Sequence, residues 1–198
     1  MNEHRYFILH KPINMVSQFL SSHAVNLLGD LPFEFPVGTH AIGRLDQNSE
    51  GLLLLTTNKK ITRLLFQGSQ PHTRTYLVQV KNKVDENTIA QLSSGISISA
   101  PNKSQYKTAP CKVVFASPPV NLLSNATNLH ENVKTTWLEI TLTEGKYHQV
   151  RKMVAAVNHK CIRLIRVSIE DIHLGNMKPG EIREMNEKDF FEQLHLDQ

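Results

Sequence analysis

Cysteine and tryptophan are scarce in this chain of 198 residues, which contains two of the first and one of the second. Neither Cys111 nor Cys161 belongs to a CxxC pair, so we expect no zinc or redox motif and two small buried hydrophobes. The longest leucine run covers residues 52–55, which is far too short to span a bilayer. Because the N-terminus also lacks an apolar signal region, we expect a cytoplasmic protein without a membrane partner.

The common cofactor and hydrolase motifs are missing as well. The sequence contains no GxxxxGK[ST] phosphate loop, no GxGxxG turn after a strand and no GxSxG elbow. Ten histidines are present, but none forms an HExxH or comparable ligand pair. We therefore expect a protein that holds neither a metal ion nor a cofactor.

Positive charge is concentrated in one segment. The formal net charge is +4, and residues 144–166 hold six of the 22 lysines and arginines but only one of the 18 acids. The remaining chain, with 16 basic and 17 acidic residues, is close to neutral. A basic cluster on a near-neutral body indicates a polyanionic partner, although a solvated basic face is the alternative reading.

Hydrophobic periodicity predicts strands and helices that mix without a regular βα repeat, which favours an α+β fold. Residues 52–56 form a continuous apolar run, typical of a strand buried on both faces. Further strands are predicted over residues 5–10, 75–81, 137–142 and 161–167. Helices are predicted after Asn58, Asp85 and Asn186, because each of these residues can cap a helix. The polar stretch 117–134 is predicted to be a surface insertion.

The clearest predicted helix covers residues 147–157. Four apolar side chains follow the spacing of one helix face, namely Val150, Met153, Val154 and Val157. Arg151 lies about 100° round from Val150, at the edge of that buried stripe. The N–H groups at the helix start, beside Lys146, are a candidate phosphate site.

A cluster of turn-forming and charged residues, GRLDQNSEG at 43–51, directly precedes the leucine strand. Asp46 in this segment is suited to chemistry because a rigid strand follows it, although an ordinary surface turn is the alternative. Part of an EF-hand pattern also begins at Asp46. Its twelfth position is Thr57 rather than a bidentate glutamate, so we reject a calcium loop.

Four segments, in order, resemble the ribosomal pseudouridine synthases of the RsuA/RluB/RluE/RluF family. They are HKP at 10–12 with Ser17, GRLD at 43–46 with SEGLLLLT at 49–56, TYLV at 75–78, and EGKYHQVRKM at 144–153 with LIR at 164–166. The resemblance implies a mixed, largely antiparallel sheet in two lobes with a central catalytic cleft. It also implies a single catalytic domain over residues 1–198.

The resemblance implies roles for three residues in the isomerisation of uridine to pseudouridine. Asp46 falls on the catalytic aspartate, Tyr76 on the tyrosine that packs against the target base, and Arg151 on the basic partner of the aspartate. Tyr76 is also a candidate for proton removal. Whether the carboxylate attacks C1′ or C6, or acts as a base, stays open. The isomerisation involves no redox step, so no cofactor is implied.

Seven basic residues are candidates for contacts with RNA phosphates. They are Lys11, Arg44, Lys146, His148, Lys152, Arg163 and Arg166. Many family members carry an N-terminal S4 domain, which we expect to be absent because the motifs begin within the first dozen residues. This short form is most similar to a large-subunit subtype. It implies a monomer acting on large-subunit (23S) ribosomal RNA before assembly is complete.

Two other function classes remain open. A non-catalytic RNA-binding or ribosome-assembly module would use the same basic segment and would not need Asp46. An unrelated enzyme acting on a phosphorylated small molecule would show no dependence on RNA.

Overall fold

The computed structural model describes residues 4–67, 70–100, 104–118, 122 and 133–197. The chain divides into two units, the first formed by Met1–His72 with Ile165–Gln198 and the second by Thr73–Leu164. Most of the insertion expected at 117–134 lies outside the described residues. None of the helices in the described ranges has the length and apolar character needed to span a membrane.

Strands and helices of the described residues mix along the chain, in agreement with the predicted α+β class. The strands are β1 Tyr6–Lys11, β2 His40–Ile42, β3 Glu50–Thr56, β4 Arg74–Lys81, β5 Ser97–Ser99, β6 Gln105–Lys107, β7 Lys112–Phe115, β8 Thr135–Leu142, β9 Cys161–Ile169, β10 Ile172–His173 and β11 Ile182–Met185. The helices are α1 Ile61–Gln67, α2 Glu86–Ser93, α3 Gln149–Ala156 and α4 Glu187–Gln193.

The first unit is built around the leucine strand β3. Strands follow the order β11-β1-β3-β9, while β2 also pairs with β3 and β10 with β9. The pairings in this unit are antiparallel except that of β3 with β9. Every residue of β3 is buried, as the continuous apolar run predicts. Burying each of its four leucine side chains contributes roughly 1.5–3 kcal/mol to stability.

Helix α4 covers one part of this sheet. The Oδ1 atom of Asn186 accepts a hydrogen bond from the backbone N–H of Asp189 at 2.8 Å, which is the predicted N-cap. The Phe190 ring packs against the Tyr6 ring of β1, with 4.6 Å between the ring centroids. The C-terminal helix is therefore tied to the first strand of the chain.

The second unit has an antiparallel order β4-β8-β7, a β5-β6 hairpin and helices α2 and α3. The predicted stripe on α3 is confirmed, because all four of its apolar side chains are buried. The helix begins two residues later than predicted. His148 has a φ angle of 54°, in the left-handed region, so a regular α-helix cannot include it. Tyr147 and His148 therefore lie in the preceding turn.

Gly51 allows the close parallel approach of β3 and β9. Its φ angle is 106°, and a Cβ atom built there would lie 2.3 Å from the backbone oxygen of Arg166. We expect Gly51→Ala to lower the free energy of unfolding by at least about 3 kcal/mol, because backbone atoms cannot move aside. Urea denaturation measures this loss.

The matched control is Gly175→Ala in the same unit. Gly175 also has a positive φ angle, 56°, but a Cβ atom there would have no neighbour within 4 Å. This variant should lose only the conformational cost of about 1–2 kcal/mol. Equal losses in the two variants would show that the contact between the strands is not the constraint.

Candidate active site

Asp46 lies at the first position of a tight turn that leads into β3. Its backbone oxygen accepts a hydrogen bond from the N–H of Ser49 at 3.0 Å, which closes the turn. The residue is half-buried, whereas Leu45 before it and Ser49 after it are buried. The carboxylate is therefore carried by a short backbone segment with both ends fixed.

Hydrogen bonds on each side of Asp46 hold this turn to the segment after β1. The Ser17 hydroxyl accepts from the N–H of Leu45 at 2.9 Å and donates to the oxygen of the same residue at 3.1 Å. On the other side, the N–H of Asn14 donates to the oxygen of Gln47 at 2.8 Å. Such second contacts reduce the movement of a reactive group relative to its substrate.

Lys11 supports the same segment from the interior. Its side chain is fully buried, and its ammonium group donates to the oxygens of Pro12 and Met15 at 2.8 and 2.7 Å. Burial lowers the pKa of Lys11 to about 8, although the negative charges of Glu50 and Asp46 oppose this shift. We had expected Lys11 to contact phosphate, and its complete burial argues against that role.

Arg163 and Arg166 are also interior residues, 2% and 3% exposed. Nη1 of Arg163 donates to the oxygen of Leu122, and Nε of Arg166 donates to the oxygen of Leu52 at 2.8 Å. Both guanidinium groups therefore hold backbone oxygens. The burial of Lys11, Arg163 and Arg166 argues against the expected phosphate contacts of all three.

Tyr76 and Arg151 belong to the second unit, whereas Asp46 belongs to the first. Tyr76 on β4 is opposite Ile140 of β8 and packs, partly buried, against the core of its unit. Arg151 is half-buried on α3, with Nη1 3.7 Å from the sulfur of Cys161. The pairing of Arg151 with Asp46 stays a prediction.

Glu144 organises the segment that leads into α3. One carboxylate oxygen accepts from the N–H of Ala109 at 3.0 Å and from the Gln149 amide at 2.7 Å, and the other accepts from the Tyr106 hydroxyl. The last bond raises the pKa of Tyr106. Gln149 in turn accepts from the N–H of Lys146 at 2.8 Å, and its own backbone N–H donates to the oxygen of Lys146 at 3.0 Å. The first N–H group of the helix, which the sequence indicated as part of a phosphate site, is therefore already bonded within the protein.

The remaining basic candidates reach the surface. Arg44 and Lys146 are exposed, and His148 and Lys152 are partly exposed. The two cysteines, expected to be buried, are half-buried, and burial raises the pKa of Cys111 to about 11. In the part of the chain that the structure describes, His, Cys, Asp and Glu form no group that could hold a metal ion.

Comparisons with known proteins agree on one family. The family model for RNA pseudouridylate synthase matches residues 5–156. A ribosomal large subunit pseudouridine synthase E from Vibrio parahaemolyticus is 33% identical over 187 residues, covering 93% of this chain and 75% of that protein. A protein of the same name from Xanthomonas campestris is 31% identical over 89% of this chain and 92% of its own length.

A solved structure supports the same assignment. A crystal structure of a pseudouridylate synthase superposes with a TM-score of 0.78 and 27% sequence identity. The match covers 98% of this chain and 75% of that one.

The buried Lys11 should make stability depend on pH. Its pKa is about 8 in the folded protein and near its ordinary value of 10.5 when unfolded. Below pH 8 both states are charged and the cost of burying the charge is fully present. As pH rises from about 8 to about 10.5, the folded protein loses its proton first, so this cost is relieved by up to about 3 kcal/mol.

Lys11→Met removes the ionisable group with little change of volume. Chemical denaturation at several pH values should show the unmodified protein gaining stability relative to this variant across that window. If the free energy of unfolding varied with pH in the same way in both proteins, a lowered pKa of Lys11 would be contradicted.

Proposed function

The chain belongs to the RNA pseudouridylate synthase family, and we propose that it converts uridine to pseudouridine in large-subunit ribosomal RNA. The names of its relatives from Vibrio parahaemolyticus and Xanthomonas campestris support this substrate class. The observation that carries the catalytic part is the position of Asp46. Its turn is closed on itself and bonded to Asn14 and Ser17 on either side.

The reaction breaks the bond between N1 of uracil and C1′ of ribose, turns the base and joins C5 to C1′. The proton on C5 is then lost while N1 gains one, so atoms balance within the nucleotide. A carboxylate such as that of Asp46 suits this chemistry because it can act as a nucleophile or as a base. Because the turn holds Asp46 in a fixed position, less entropy is lost when the carboxylate is brought to the reacting atom.

We assign the other two roles to Tyr76 and Arg151. A tyrosine ring offers a face for the uracil base and a hydroxyl that can take part in proton removal from C5. An arginine presents a planar pair of donors to a carboxylate and keeps it charged. The packing of Tyr76 on its sheet supports a fixed ring position.

For RNA binding we propose the four basic side chains that reach the surface, Arg44, Lys146, His148 and Lys152. The target base must leave its stack, which costs least where RNA is already unpaired. We therefore propose that a monomer acts in the cytoplasm on ribosomal RNA before the subunit is fully assembled.

Asp46→Asn tests the catalytic assignment. The change preserves the shape of the side chain but removes the negative charge, so pseudouridine formation should fall below detection. Asp197→Asn is the matched control, because Asp197 is an exposed aspartate in the same unit. Circular dichroism and RNA affinity should stay near those of the unmodified protein in both variants. Near-normal turnover in Asp46→Asn would show that Asp46 is not the catalytic aspartate.

The substrate is tested by offering the purified protein four RNAs in parallel. These are naked large-subunit RNA, naked small-subunit RNA, transfer RNA and mature large subunits, with pseudouridine mapped at single-base resolution. We expect modification of naked large-subunit RNA and little in mature subunits. Modification of small-subunit RNA or transfer RNA alone would overturn the substrate but not the enzyme class. Absence of modification in all four would favour an RNA-binding module.

A further inference from the structure

Tyr147 is an aromatic side chain on the surface of the second unit. It is 67% exposed and follows Gly145-Lys146 in the turn before α3. Its ring is stacked on that of His148, with 3.9 Å between ring centroids and 18° between planes. Two rings stacked in this way cover one face of each other, and the exposed part of Tyr147 leaves apolar ring surface that water solvates poorly.

The backbone on both sides of this stacked pair is fixed. His148 has a left-handed backbone conformation, which is about 1–2 kcal/mol less favourable for a residue with a side chain. Other contacts must therefore maintain it. One such contact joins the N–H of Lys146 to the Gln149 amide, which itself donates to Glu144. The backbone that carries the two rings is therefore held in place before any ligand binds.

One ammonium group lies beside the stacked rings, and a second belongs to the residue that precedes them. Nζ of Lys152 lies 5.2 Å from the Tyr147 ring centroid and donates to the oxygen of Ser99 at 2.7 Å. Nζ of Lys146 lies 4.7 Å from the ring centroid of Tyr106. Aromatic faces beside positive charges match the two parts of a nucleotide, its base and its phosphate. The same charges disfavour an apolar protein partner, because burying them would cost desolvation energy.

We propose that Tyr147 and His148 form a stacking surface for an unpaired base of the RNA substrate, with Lys146 and Lys152 beside the adjacent phosphates. This inference rests on the proposed function. It concerns a base other than the target uridine, because a ring with two thirds of its surface in water cannot exclude solvent from a reaction. The surface would select RNA that offers an unpaired base in addition to the modified uridine.

The test measures affinity for a short oligouridylate and for a backbone of the same length without bases, by fluorescence anisotropy. Tyr147→Leu should bind the oligouridylate about tenfold more weakly, because stacking is lost, while Tyr147→Phe should bind as the unmodified protein does. On the abasic backbone all three proteins should bind equally. Phe115→Leu is the matched control, since Phe115 is 45% exposed in the same unit.

The salt dependence of RNA affinity distinguishes the contribution of base stacking from that of phosphate contacts. Lys146→Ala should lower the slope of log affinity against log salt by about 0.7, whereas Tyr147→Leu should leave it unchanged. An equal loss of affinity on both ligands in Tyr147→Leu would mean a structural effect or another partner, and would overturn the inference. No loss on either ligand would overturn it too.

The outcome does not depend on isomerisation. Binding that needs both Tyr147 and bases, in a protein that forms no pseudouridine, would support the stacking surface and reject the proposed activity. Normal pseudouridine formation, with RNA binding that needs neither Tyr147 nor bases, would support the proposed activity and reject the stacking surface.

Discussion

A buried ammonium group, Nζ of Lys11, sets the local arrangement of the first unit. Removing a charge from water costs several kcal/mol unless hydrogen bonds and opposite charges offset it. Two backbone oxygens, of Pro12 and Met15, and the nearby carboxylates of Glu50 and Asp46 offset part of that cost. The chain after β1 must therefore curl around the lysine, which brings Asn14 and Ser17 to the turn that carries Asp46. The position of the carboxylate thus follows from the need to satisfy a buried cation.

The sequence predicted the elements that depend on local pattern. The buried leucine strand β3 and the apolar stripe of α3 follow from periodicity, which sets how much surface each can bury. Strands of two to four residues, such as β2, β5 and β10, are too short to show any period. The start of α3 differs from the prediction because nothing in the helix pattern reveals the left-handed conformation of His148.

For the candidate site, the sequence predicted the residues that lie within short motifs, but not the contacts between distant segments. The family motifs contain Asp46, Tyr76 and Arg151, but they do not reveal the long-range contacts made by the segments around Asp46 and before α3. Ser17 binds a residue 28 positions away, and Glu144 binds Tyr106 from 38 positions away. Gln149 likewise lies within a family motif. Its bonds to Lys146 and Glu144 could not be read from spacing.

The number of lysines and arginines in residues 144–166 overestimates how many positive charges this segment presents to solvent. Of its six lysines and arginines, Arg163 and Arg166 are buried on backbone oxygens and Arg151 is half-buried. Charges held inside a protein contribute little to counterion release, which depends on phosphates neutralised at the surface. Of the six, only Lys146 and Lys160 are exposed, so the segment needs another source of affinity for RNA. The stacking surface that we propose would provide it, and stacking requires unpaired bases. The same feature that limits phosphate binding would therefore direct this enzyme towards RNA that has not yet folded.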